Sequence, residues 1–185
     1  MKKYVFIWFM LMLAGIFSVG CAYVCIQQSL RLSANEPAAS AAKQVLVKLQ
    51  NGGTPKNVLP EKTDLSTSIT PFVYVYDENQ RLAATSAAYG NEDITYPKSV
   101  LSEIDKRGES RVTWQPKLGL RFATVGMKYS GGYIIGCYSL SESENTISRI
   151  GSLLLMGYAL YAVGCAVLLW IIAVFRKAYP NKVRS

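Results

Sequence analysis

At 185 residues and 20.4 kDa, the chain is long enough for one domain of ordinary size but not for two cores. Half of its residues are hydrophobic and only 17% are charged, and the apolar ones gather at the two ends, which excludes an ordinary soluble globule. There is no histidine, which removes the commonest general base, the commonest zinc ligand and every histidine-dependent triad.

The first element is a run of 23 uncharged residues from Tyr4 to Ile26. As a helix it reaches roughly 34 Å, more than a hydrocarbon core of about 30 Å. It reads as an uncleaved membrane anchor, residues 1–26 with its basic tip. A cleaved secretory signal behind Lys2 and Lys3 is the alternative, but signal h-regions usually stop at about 7–15 residues. A lipid attachment site at Cys21 suits Gly20 and is poorly served by Ser18.

Residues 27–149 form the folded middle. Glu36 and Pro37 open a helix that places Ala38, Ala42, Val45, Leu46 and Leu49 on one face, and Asn51-Gly52-Gly53 ends it. Residues 54–70, with Pro55 and Pro60, read as a loop. From Phe72 the pattern alternates: Phe72, Tyr74 and Tyr76 face one way, Val73 and Val75 the other. A turn at Asp77-Glu78-Asn79-Gln80 then returns the chain through Arg81 to Ser86. Tyr96-Pro97 opens a second helix that closes near Arg107-Gly108. Strands follow from Ser110 to Trp114, stopped by Pro116, from Leu120 to Lys128, and from Tyr133 to Tyr138. The predicted fold is α+β: a five-stranded antiparallel sheet flanked by two transmembrane helices.

Ser141 and Glu144 have capping-box spacing, ahead of a helix with no breaker before Phe175. Its apolar part, residues 150–175, is the second span, and the basic tail is 176–185. The ends hold six of the 20 Lys and Arg and none of the 12 Asp and Glu. Residues 27–149 hold 14 bases and all 12 acids, a net charge of only +2. Positive-inside logic puts both termini in the cytoplasm, the middle domain outside, and the protein in the cell membrane. The pI near 9.3 thus describes topology, and no nucleic-acid partner is expected. Cys137 is alone in the exported part, so a disulfide there requires a second copy.

A membrane helix followed by a helix, a hairpin, a connecting segment, a three-strand meander and a returning helix resembles the extracytoplasmic PAS-like sensor modules called Cache domains. The local cues are Phe72 to Asp77 and Gly132-Tyr133-Ile134-Ile135 running into Ser139-Leu140-Ser141-Glu142. The chain is also similar to a family of small uncharacterised bacterial two-span membrane proteins around a single such domain. That likeness is carried by Gln27 to Arg31, Ala34 to Pro37, Pro71 to Val73, Arg111 to Pro116, Gly119 to Arg121, and Ser139-Leu140. The family commonly has an arginine before the last Ser-Leu; here that position is Tyr138, so any part that arginine plays is absent or displaced. The resemblance implies a sensor and no known reaction.

The candidate site is Tyr74, Tyr76, Trp114 and Arg121 converging on one sheet face. They would form an aromatic cleft in which Arg121 anchors a small anionic ligand. The plainer reading of the same residues is half-buried sheet aromatics and a solvated arginine. Lys128 and Arg111 near strand ends are weaker candidates, and Asp77 and Glu78 suit a turn. No catalytic residues, metal ligands or cofactors are expected, and the chain does not read as an enzyme. Ala14, Ser18 and Ala22, and Ala162 with Ala166, suit close helix contacts between the spans or in a homodimer. The expected function is an integral membrane protein presenting a sensor-like, ligand- or partner-binding domain. It has too short a tail for its own output domain, so it works through a separate membrane signalling protein or as a homodimer. The alternative is a structural, envelope-associated docking protein.

Overall fold

The computed structural model describes residues 2–178. Lys182 and Arg184 of the basic tail lie outside the described residues. The chain divides into two compact units, one of residues 29–145 and one made by the two ends of the chain.

The terminal unit contains most of α1 (Lys2–Ser33) and α4 (Ser141–Ala178). Both are long and apolar enough to cross a membrane. Large apolar side chains stand out from both, with Phe17 74% and Trp170 68% exposed, and such a surface suits lipid, not water. Between the helices, the Trp8 indole donates to the Ala162 carbonyl at 3.3 Å and the Tyr158 hydroxyl to the Met12 carbonyl at 3.1 Å. The missing side chain of Gly15 makes room, since a Cβ there would meet both Tyr158 and Tyr161 at 3.0 Å. The backbone carbonyl of Ala162 is thus used between the two helices, whereas Ala14, Ser18, Ala22 and Ala166 are exposed.

The first helix does not stop where its apolar run stops. From Gln27 to Ser33 the polar residues include no breaker, so α1 continues to Ser33, and α2 (Asn35–Gln50) begins one residue later. Pro37 sits in the first turn of α2, where its lack of an N–H has no consequence. Asn51 and Gly52 donate to the Val47 and Leu49 carbonyls, and Gly52, at φ +87°, ends the helix.

The main sheet contains β2 (Phe72–Asp77), β3 (Leu82–Thr85), β5 (Glu109–Lys117), β6 (Leu120–Tyr129) and β7 (Gly132–Ser139). Its order is β3-β2-β7-β6-β5, with every pair antiparallel. The expected five-stranded sheet is present, with two differences. β5 does not stop before Pro116 but runs to Lys117 through a bulge after Trp114; as an edge strand it tolerates a proline without an N–H. A small parallel sheet of β1 (Thr63–Asp64) and β4 (Ala87–Ala88) was not expected, because two-residue strands carry no periodicity.

Both faces of the main sheet are covered. α2 packs Ala38, Ala42 and Val45 on Val73, Val75, Val125 and Ile134. A Cβ on Gly136 would lie 2.0 Å from the Ala38 carbonyl oxygen, so glycine is what lets this helix lie close. The other face carries Phe72, Tyr74, Tyr76, Trp114 and Phe122. It is covered by Tyr96 and by Leu101 and Ile104 of α3 (Lys98–Arg107). Cys137 is fully buried on that face, so a bridge to a second copy is out of its reach in the folded domain.

At the start of α4 the expected Ser141–Glu144 capping box is not formed. The first helical bond runs from the Glu144 N–H to the Leu140 carbonyl at 2.8 Å, and the Ser139 hydroxyl accepts from the Ser141 N–H at 3.3 Å. The Glu144 carboxylate turns to Arg121 instead.

Candidate functional site

Alternation along β2 sends Phe72, Tyr74 and Tyr76 to the α3 side, and the β5–β6 register brings Trp114 opposite Phe122 on that side. The rings meet edge to face: Tyr74 with Trp114 at 5.9 Å, Tyr96 with Trp114 at 5.1 Å, Phe72 with Phe122 at 5.0 Å. Three of the four expected site residues thus converge. They do so by filling the core, since Tyr74, Tyr76 and Trp114 are all buried.

Arg121 is not with them. Next to Phe122 in β6, it points to the opposite face, the side of Ala123 and Val125. There its guanidinium donates to Glu144 at 2.5 Å, and its Nε is buried with no partner among the described residues. An anion in the aromatic cluster therefore has no cation from this arginine. Arg111 and Lys128, the weaker candidates, pair with Glu109 at 2.7 Å and Asp105 at 2.6 Å. These contacts lift the two bases' pKa values and hold the Asp105 carboxyl below its ordinary value. Asp77 accepts from the Arg81 N–H at 2.7 Å, the turn contact its position implies.

Three tyrosines put polar atoms inside the aromatic cluster. Thr124 donates to the Val112 carbonyl at 2.9 Å, which uses its one hydroxyl hydrogen. The Tyr96 hydroxyl, 2.7 Å from Thr124 Oγ1, is therefore the donor in that pair. The Tyr96 N–H in turn donates to the Tyr76 hydroxyl at 2.9 Å. Tyr74 differs: its hydroxyl is buried without a partner among the described residues. Burial pushes the phenols of Tyr74 and Tyr96 well above their ordinary pKa, so both remain neutral through the physiological range.

Tyr74 lines a cavity of about 20 Å³ together with Thr85, Tyr89, Glu92, Asp93 and Ile94, enough for a single water-sized group. Two of its lining residues, Glu92 and Tyr89, also contact Lys117. Its ammonium is paired with Glu92 and stands 4.6 Å above the Tyr89 ring. The segment supplying Tyr89, Glu92, Asp93 and Ile94 has no secondary-structure period. The one sequence signal there is the pair of adjacent acids ahead of the Tyr96-Pro97 helix start.

Comparison with protein-family models, with curated proteins and with solved structures returns no match.

Proposed function

We propose that this protein is a membrane-anchored sensor. Its PAS/Cache-like domain, residues 27–149, lies outside the cell membrane, with both termini in the cytoplasm. Binding to that domain is passed to a separate membrane signalling protein or to a second copy. The observation that supports this reading is the exit from the sheet: β7 leads through Leu140 into α4, which is unbroken from Ser141 to Ala178. Leu140 donates to the Arg121 carbonyl at 2.9 Å and Glu144 holds the Arg121 side chain, so the first turn of α4 is fastened to β6. A shift of the sheet then moves the start of a helix that is apolar enough to cross a bilayer.

The five-stranded antiparallel sheet between two long apolar helices is what supports the PAS/Cache reading; the order of the helices about that sheet does not add to it. The charge asymmetry supports the topology.

Protease accessibility in intact cells tests the topology: cleavage within residues 51–70 from outside is expected, and protection of that segment overturns the reading. Thermal-shift screening of the full chain in detergent, with amino acids, organic acids and amines, tests sensing. A reproducible ligand-dependent rise is expected. No rise in any class would favour a structural docking protein instead.

A further inference from the structure

We propose that the cleft over Tyr74 takes the primary ammonium group of a small amine, with Glu92 and Asp93 as counter-charges and the Tyr89 ring as its wall. This inference rests on the sensing reading and names the ligand class for it.

The first observation is the Tyr74 hydroxyl, a fully buried polar atom with no partner among the described residues, on a side chain that lines the cavity. Buried hydroxyls ordinarily find a partner, and one left over at a cavity wall points to a bound polar group. The second is charge. The residues lining this cavity include two carboxylates, Glu92 and Asp93, and no base, while Arg121 is on the other face of the sheet. Such a cleft disfavours an anion and favours a cation. The third is size. About 20 Å³ accommodates a group no larger than water, which fits an ammonium head whose hydrocarbon tail points out through the mouth and leaves no room for a quaternary ammonium.

The fourth observation is a working example within the chain. The Lys117 ammonium is already paired with Glu92 and lies over the face of Tyr89, 4.6 Å from its centroid. An alkylammonium group thus already satisfies the aromatic and carboxylate chemistry of this rim. The lysine and Glu92 side chains are 38% and 62% exposed, and an exposed pair of this kind is weak enough to exchange. An incoming amine takes Glu92 and Tyr89 from Lys117, places its remaining N–H groups on Asp93 and the Tyr74 oxygen, and frees the lysine end of β5.

The test is calorimetric titration of the full chain in detergent at neutral pH and constant ionic strength. Ethylammonium chloride is the probe; tetramethylammonium chloride and sodium acetate are controls. Saturable binding of ethylammonium and none of either control is the expected result. Glu92→Gln combined with Asp93→Asn weakens binding by about tenfold or more, through loss of two charge-assisted contacts. Lys117→Ala strengthens it several-fold, because the internal competitor is gone. All three residues are exposed or half-exposed, so these variants keep the fold, and unchanged circular dichroism verifies that. Equal binding of ethylammonium and tetramethylammonium, or weaker binding by Lys117→Ala, overturns the assignment. A saturable response to acetate with none to ethylammonium overturns it while leaving the sensing reading in place. Silence from every class of ligand, in both the wild type and Lys117→Ala, overturns both.

Discussion

Arg121 reaches Glu144 at 2.5 Å and so joins the first residues of β6 to the first turn of α4. The two side chains are 35% and 39% exposed, so water screens much of their attraction. The buried Nε of Arg121, without a partner among the described residues, offsets part of what remains. A double-mutant cycle of Arg121→Ala and Glu144→Ala is therefore expected to give a coupling of about 0.2–1 kcal/mol in thermal unfolding. That coupling falls toward zero in about 1 M salt, where the Debye length is roughly 3 Å. A coupling above about 2 kcal/mol, or one indifferent to salt, would contradict the half-exposed geometry.

The Tyr96–Thr124 contact predicts an order of effects. Tyr96→Phe removes a donor and leaves Thr124 still bonded to the Val112 carbonyl; a loss of about 0.5–1.5 kcal/mol is expected. Thr124→Val leaves the Tyr96 hydroxyl short of its acceptor, at the higher cost of about 1–3 kcal/mol for an orphaned buried group. Tyr74→Phe, by contrast, removes a hydroxyl that has no partner among the described residues and is expected to be neutral or stabilising by up to about 1 kcal/mol. Chemical unfolding followed by Trp114 fluorescence, in a background with Trp8 and Trp170 changed to Phe, ranks the three. Tyr74→Phe as the most harmful of the set would mean that its hydroxyl is bonded.

What could be read in the sequence follows the strength of each local period. Phe72 to Tyr76 alternates cleanly, and β2 with its partners lies where that alternation places it. The polar stretch from Gln27 to Ser33 shows why the end of an apolar run is not the end of a helix: a membrane boundary needs polarity, but a helix end needs a breaker. The site was only half legible for a related reason. Alternation predicts that Tyr74 and Tyr76 share a face; the β5–β6 register sets Trp114 opposite Phe122 on that face, and the one-residue step from Phe122 to Arg121 reverses the side. Placing the arginine with the aromatics required ignoring that parity. Glu92, Asp93 and Tyr89 come from a segment without period that follows β4, and nothing local in the sequence announces that they line a cavity with Tyr74.

Gly136 and Gly126 separate two kinds of close contact. A Cβ on Gly136 meets the Ala38 backbone oxygen at 2.0 Å, and a helix backbone cannot yield without lifting α2 from the sheet. A Cβ on Gly126 meets the end of the Ile104 side chain at 2.2 Å, and Ile104 has other rotamers. Gly136→Ala is expected to destabilise by about 3 kcal/mol or more, and Gly126→Ala by about 1–3 kcal/mol, the usual range for overpacking. Thermal unfolding of the two variants in the same detergent decides it, and equal effects would mean that α2 is less tightly seated than its contacts imply.

Alkaline pH acts on four buried acids of the aromatic face. Burial raises the Cys137 thiol well above its ordinary 9.0, and the phenols of Tyr74, Tyr76 and Tyr96 above 10.0. Each group keeps its proton in the folded state and loses it in the unfolded chain once the pH passes its ordinary value. Between the unfolded and folded values the native state binds more protons, so stability falls as pH rises. The decline begins near pH 9 with Cys137 and steepens near pH 10 as the tyrosines join, each contributing a limiting slope of about 1.4 kcal/mol per pH unit. Melting temperatures between pH 7 and 11 should trace this curve, and Cys137→Ala should remove its first part. Maleimide labelling gives a second measure: in the folded domain Cys137 remains unreactive from pH 7 to 9, because neither access nor thiolate is available. Labelling that speeds up tenfold per pH unit without loss of the fold would show that the sheet opens at Cys137, and the aromatic face would then be looser than its packing implies.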